Sequence, residues 1–168
     1  MINLRSATIS DVEAILRVHY AAVHGPATST FYTQNILRNW SPSATDERRL
    51  NQLHQAIQNN EELIVVAVSS ENGMIVGFGS VIPSQQELRA VYVDPAFARR
   101  SIGTKVLATL EKLAIQHGAH KLHLDASVNA ETFYYHHGYS VVDRGSHRLN
   151  SGIDMDCVKM SKDLRAHL

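Results

Sequence analysis

The sequence predicts a mixed α/β fold, one sheet with helices packed against it. Strand-like and helix-like runs follow one another in the order β-α-α-βββ-α-β-α-ββ. In the middle of that order, a strand, a short loop, a helix and a strand make a βαβ unit, which is expected to be right-handed with parallel strands. The chain has 168 residues, 44% hydrophobic and 19% charged, which suits a single folded domain over 1–168 with a sizeable core. No repeat, low-complexity tract or linker divides it.

Each element rests on a local signal. Ile2 to Arg5 reads as a short first strand. Ser10 is placed as an N-cap, with Asp11 and Glu13 opposing the helix dipole in the first turn. Val12, Ile15, Leu16 and Val18 continue as an apolar stripe to about Val23. The aromatic segment HGPATSTFYTQNILRNWSP, 24–42, is expected to hold one short helix between loops. Asp46 begins another helix, with Leu50, Leu53 and Ile57 on one face. Leu63 to Val68 is apolar and β-branched, Glu71-Asn72-Gly73 is a hairpin turn, and Met74 to Ile82 returns as a strand. After Pro83 and Ser84, Glu87 to Val93 forms a third strand that stops at Asp94-Pro95. The next helix carries Ile102, Val106, Leu107, Leu110, Leu113 and Ala114 inward and ends near Gly118. Leu122, Leu124 and Ala126 alternate as a strand. A helix around Ala130 to His137 and strands near Tyr139 to Val142 and Ile153 to Met160 complete the chain.

Composition narrows the function classes. Formal net charge is zero, so nothing global favours nucleic acid or an anionic membrane, and any anion site must be local. No apolar run approaches the ~20 residues of a membrane-spanning helix. The single cysteine, Cys157, excludes an internal disulfide and fits a reducing compartment. The opening MINLRSATISDVEA lacks the pattern of a signal peptide, so a cytoplasmic protein is expected.

The stretch ARRSIG, 98–103, joins two arginines to a small-residue turn at the mouth of a helix. The first N–H groups of a helix lack internal partners and lie at the positive end of its dipole, which suits a phosphate. The alternative is a glycine that lets the helix pack on the sheet, beside solvated arginines. A P-loop needs two glycines followed by Lys-Ser/Thr, and a dinucleotide fingerprint needs three glycines, so both are rejected.

With its flanks, ELRAVYVDPAFARRSIGTKVLATLEKLA resembles the acyl-CoA-binding core of the GCN5-related N-acetyltransferases, the GNAT superfamily. A second stretch, LHLDASVNAETFYYHHGY, resembles that family's later strand and its Asn-Ala-x-x-Phe-Tyr element, with Gly-Tyr four residues past the tyrosine. The resemblance covers nearly the whole chain and is weakest over 24–60. It implies a mostly antiparallel sheet flanked by helices, with a central parallel βαβ unit that binds acyl-CoA. Carried over residue by residue, it implies that Val91, Tyr92 and Val93 run beside the pantetheine arm, the backbones of Val91 and Val93 pairing with it. Arg99, Arg100, Ser101, Ile102, Gly103 and Thr104 would wrap the pyrophosphate, and Asn129 would reach the pantetheine. Tyr134 stands where the family has a tyrosine that protonates the departing thiolate. Ser101 stands where the family usually has its first glycine. A negative φ is expected there, with the hydroxyl capping the helix or touching a phosphate oxygen. A positive φ would cost serine on the order of 1 kcal/mol.

The implied reaction is acetyl transfer from acetyl-CoA to a primary amine of a small molecule or peptide, by direct attack in a ternary complex. The alternative is a catalytically silent acyl-CoA-binding module on the same fold. A lysine-like amine is only about one part in a thousand neutral at pH 7, so a general base matters. Glu87 is the candidate, at the start of the strand that ends at Val93; the alternative is a solvated strand-start glutamate. Tyr32, Trp40 and, more weakly, His24 are candidate walls of the acceptor pocket, or residues that cap the core. His117, His120 and His123 straddle a helix-to-strand change, and the adjacent His136 and His137 diverge, so no metal is expected. Cys157 reads as a small core residue. Many relatives are homodimers, which leaves a homodimer open here.

Overall fold

A computed structural model describes residues 1–165. The elements are β1 (Ile2–Ser6), α1 (Val12–His24), α2 (Pro26–Ser29), α3 (Gln34–Trp40), α4 (Glu47–Asn59), β2 (Leu63–Ser69), β3 (Ile75–Ile82), β4 (Glu87–Val93), α5 (Ile102–Gln116), β5 (Lys121–Ser127), α6 (Glu131–His136), β6 (Ser140–Arg148) and β7 (Asp154–Asp163). The strands form one seven-stranded sheet in the order β1-β2-β3-β4-β5-β7-β6. Every neighbouring pair is antiparallel except β4 and β5, the parallel pair of the expected βαβ unit.

The two faces are covered by different helices, giving two apolar clusters. On one face α5 places Ile102, Val106, Leu107, Leu110 and Ala114 against Val65, Ala67, Val76, Val81 and Leu88. Glycines in β3 make that contact close: a Cβ on Gly79 would lie 2.7 Å from the Ala90 carbonyl oxygen and 2.7 Å from Leu110. On the other face α1 sets Ile15 and Val18 against Ile64, Val66, Ile75 and Phe78, and Leu53, Ala56 and Ile57 of α4 pack at its margin.

Three local expectations are corrected. Ser10 caps no helix: a 3₁₀ turn over Ile9–Asp11 precedes α1, and the Thr8 N–H donates to the Asp11 carboxylate at 2.7 Å. The Asp11 carboxylate also takes the Arg5 guanidinium at 2.7 Å, which binds β1 to the start of α1. The 24–42 segment holds two helices, because Pro26 starts one at its first position and the Thr33 hydroxyl caps the next. Strands β6 and β7 run longer than their apolar alternation. Every residue of β6 is exposed, so its second half, DRGSHR, is set by pairing to β7 rather than by burial.

Candidate active site

The sheet opens between β4 and β5. They pair only at Glu87↔His123, and a register shift in the β3–β4 ladder follows at once, between Ser80 and Val81. Opposite that shift Arg89 is the extra residue, which places both Leu88 and Val91 on the α5 face. The bend turns the rest of β4 away from β5. Asp94 donates its N–H to the Val76 carbonyl at 2.9 Å. By the alternation of an antiparallel ladder, Tyr92 then turns its backbone groups to β3, and Val91 and Val93 turn theirs to the open edge. These two residues have no strand partner on that side.

Beyond the open edge the chain places Asn129 and Tyr134. Asn129 Nδ2 donates to Thr28 Oγ1 at 3.2 Å, and Asn129 Oδ1 is buried without a partner. Exchanging the two amide ends would still leave one unpaired. A buried amide in that state lacks a hydrogen bond worth ~1–3 kcal/mol, which an incoming amide or hydroxyl could supply. Tyr134 is 5% exposed and packs edge-on against Phe133 and Tyr139. Burial, and secondarily the nearby Tyr92 phenol, pushes its pKa well above the usual tyrosine value. It therefore holds its proton at neutral pH and can present it as a hydrogen bond to an anion that forms beside it.

The loop before α5 contains two residues in the left-handed region, Arg99 at φ 64° and Ser101 at φ 59°. The expectation of a negative φ at Ser101 is thus overturned, and its hydroxyl makes no cap. The reversal turns the chain sharply into α5, whose first N–H groups face outward. Arg99 and Arg100 form no ion pair with any described residue, and Arg100 lies over the Phe97 ring at 5.3 Å. A Cβ on Gly103 would lie in ordinary contact with the Phe133 ring at 3.4 Å. The packing of α5 on α6 therefore does not by itself require a glycine at 103. The Thr104 hydroxyl is engaged with His137 Nε2 at 3.0 Å, while His137 Nδ1 donates to the Phe133 carbonyl at 2.7 Å, which fastens α6 to α5.

On the α1 face the opening leads into a cavity of about 1180 Å³, walled by α1, α3, α4, the faces of β3 and β4, and the strands β5 and β7. Trp40, Tyr92 and Glu87 line it. Tyr32 and His24 are not among its walls. The Tyr32 hydroxyl donates to the Asp156 carbonyl at 2.7 Å and accepts from the Val128 N–H at 2.8 Å, tying the α2–α3 loop to the ends of β5 and β7. Its ring stands edge-on to Trp40 at 5.7 Å. His24 Nε2 donates to the Ser41 carbonyl at 2.8 Å, which fixes the end of α1. Glu87 is paired with Arg89 at 3.6 Å. Among the described residues no group of three or more His, Cys, Asp or Glu side chains is placed to hold a metal ion.

Sequence reasoning missed two cavity residues, His19 and Arg49. His19 is 7% exposed, and its ring centre is 4.6 Å from that of Tyr92. Burial, then the charge of Arg49, lowers its pKa to about 3, so it is neutral in use. Burial pushes the Tyr92 phenol up to about 12. Within a helix stripe His19 looks like a surface residue, and the packing of Trp40, Phe78, Tyr92 and Arg49 around it buries it.

A family model described as an acetyltransferase (GNAT) domain matches residues 28–164. The chain belongs to the GNAT acetyltransferases. A curated relative of this GNAT chain, spermidine N(1)-acetyltransferase of Thermoplasma acidophilum, is 24% identical over 156 residues, spanning 84% of this chain and 90% of the relative. Among solved structures, a GCN5-related N-acetyltransferase from Rhodopseudomonas palustris superposes with a TM-score of 0.83 at 28% identity, over 96% of this chain and 94% of that one. The PaiA N-acetyltransferase of Thermoplasma acidophilum, solved in complex with coenzyme A, gives 0.75 at 20% identity, over 97% and 99%. The YncA putative acetyltransferase of Salmonella typhimurium, solved with acetyl-CoA, gives 0.69 at 24% identity, over 98% and 94%. Among the described residues no helix is long and apolar enough to cross a membrane.

Proposed function

We propose that the protein transfers an acetyl group from acetyl-CoA to a primary amine of a small molecule or peptide, by direct attack within a ternary complex. The observation that carries this reading is the opening of the sheet after Glu87↔His123, with a buried, protonated Tyr134 beyond it. In the reading, the free backbone edges of Val91 and Val93 take the pantetheine arm. Asn129 completes its missing hydrogen bond on the same arm, and the loop Arg99–Thr104 holds the pyrophosphate. Families of this fold that bind coenzyme A support the assignment.

The amine enters from the cavity and attacks the thioester carbonyl. A C–N bond forms, the C–S bond breaks, and the thiolate takes the Tyr134 proton. The amine's own proton leaves through a base or water chain, with Glu87 as the side chain offered. Glu87 stands at the start of β4, some six residues before Val93, so a water chain would have to link it to the amine at the far end of the strand.

Release of free thiol from acetyl-CoA, followed over a panel of amines, tests the reading. Spermidine belongs in that panel because of the Thermoplasma relative. Turnover on at least one amine is expected, with Tyr134→Phe lowering kcat about 10²-fold at little change in KM for acetyl-CoA. Tight coenzyme A binding with no turnover on any amine, and no effect of Tyr134→Phe, would instead establish a silent binding module.

A further inference from the structure

Three arginines that line the acceptor cavity, Arg38, Arg48 and Arg49, form no ion pair with a described residue, and of the three Arg49 alone is not exposed. Arg49, on the first turn of α4, is half-buried and lines the cavity beside His19 and Tyr92. Its two amino groups donate to Ser41 Oγ at 3.2 Å and to His19 Nδ1 at 3.1 Å. Both partners are neutral: Ser41 is a hydroxyl, and burial keeps the His19 ring uncharged. No described carboxylate forms an ion pair with Arg49; Asp46, another wall of the cavity, accepts from the Arg49 backbone N–H at 3.0 Å, and its charge acts on the guanidinium only from a distance. A guanidinium has five N–H donors, so three remain after these two bonds.

The carboxylates of the same cavity are arranged differently. Asp125 is held by Lys159 at 3.1 Å and His147 at 3.0 Å, Glu87 is paired with Arg89, and Glu62, without an ion pair among the described residues, accepts from the Ser80 hydroxyl at 2.6 Å. Glu62 and Glu87 lie toward the closed end of β4, beside Ser80 and Ile82. Arg49 lies at the other end, where Tyr92 pairs with Phe78 and β4 has left β5. The free positive charge is therefore at the end of the cavity where the thioester would react. It is held in place by a neutral histidine and a serine, from two other segments of the chain.

On the reading that the protein is an amine acetyltransferase, we propose that its acceptor is an amine that also carries a carboxylate, an amino acid or close analogue, whose carboxylate is taken by Arg49. A fork of N–H donors matches a carboxylate with two parallel bonds and orients the molecule as well as binding it. His19 and Ser41 are positioning residues for that fork. A polyamine meets the opposite situation, since its second ammonium would approach a fixed cation that no carboxylate contacts directly.

The test is thiol release with acetyl-CoA and matched acceptors: free amino acids with the amine α, β or γ to the carboxylate, their methyl esters, and spermidine. The expected result is kcat/KM on the order of 30-fold higher for a free acid than for its ester, expressed mainly in KM. Arg49→Gln should collapse that ratio toward one, and Arg49→Lys should restore part of it, with coenzyme A affinity by calorimetry unchanged in both. Preference for spermidine or for the esters would overturn the inference and leave the acetyltransferase reading standing. An Arg49→Gln variant that loses activity equally on acids and esters would overturn it too, by assigning Arg49 to the packing of α4 on α1. No thiol release on any acceptor, with coenzyme A still bound, would overturn the acetyltransferase reading and this inference with it.

Discussion

Serine at φ 59° sits where its own Cβ crowds the following carbonyl, and Arg99 does the same two residues earlier. Each such residue costs on the order of 1–2 kcal/mol, and two of them in three positions fix the turn that aims the α5 N-terminus outward. Glycine relieves that strain but loses more backbone freedom on folding, which offsets part of the gain. Ser101→Gly should therefore raise the melting temperature by about 2 °C and tighten acetyl-CoA binding slightly, measured by thermal unfolding and calorimetry. Ser101→Val should lower both, since a β-branched side chain opposes this region most strongly. An unchanged melting temperature in the glycine variant would mean that the strain relieved does not exceed the backbone freedom lost.

At the scale of elements, the placement of α5 depends on what β3 lacks. The sequence GFGS puts glycines at 77 and 79, where a Cβ would meet Ile102 at 2.9 Å and the Ala90 carbonyl oxygen at 2.7 Å. Backbone cannot yield as a flexible side chain does, so Gly79→Ala should lower the melting temperature by roughly 5 °C. Acetyl-CoA affinity should fall as well, because α5 carries the loop proposed to hold the pyrophosphate. The junction of β1 and α1 rests on charge. The Arg5 guanidinium, the main cause, with help from the Thr8 N–H and opposed by burial, lowers the Asp11 pKa below the usual carboxylate value. A depressed pKa means stability that is present above about pH 4, the unfolded value, and lost as pH falls through the folded one. Asp11→Asn should accordingly show a smaller drop in melting temperature between pH 6 and pH 3 than the parent chain.

For the whole molecule, the relevant contrast is between zero net charge and the local charge of one loop. Formal net charge is zero, while Arg99 and Arg100 are exposed and unpaired among the described residues. Long-range attraction of coenzyme A by the protein as a whole is therefore absent, and any salt dependence must come from that loop. Coenzyme A affinity should fall as salt rises from 50 to 500 mM, and the double variant Arg99→Ala with Arg100→Ala should flatten that slope. A slope unchanged in the double variant would place the phosphate contacts elsewhere.

Much of the fold was legible because its signals are local. Alternating Leu122, Leu124 and Ala126 mark β5, the Asn72-Gly73 turn marks the β2–β3 hairpin, and the stripe from Ile102 to Ala114 marks α5. The YVDP…ARRSIG and NAETFYYHHGY stretches, with their spacing, identified the family for the same reason. What was not legible depends on partners distant in the chain. The polar half of β6 is a strand because β7 pairs with it, and His19 is neutral because α3, α4 and the sheet close over it beside Arg49. The splay of β4 from β5 arises at a bulge that only the β3 register defines. Arg49 becomes a free cation in the cavity only when Ser41 and His19 close on it from other segments. Nearest-neighbour sterics and apolar periodicity thus determined most of the elements and their order from the sequence alone. The sign of φ at Ser101, the opening of the sheet and the charge facing the acceptor were decided by tertiary packing, because each depends on long-range contacts that no window of sequence contains.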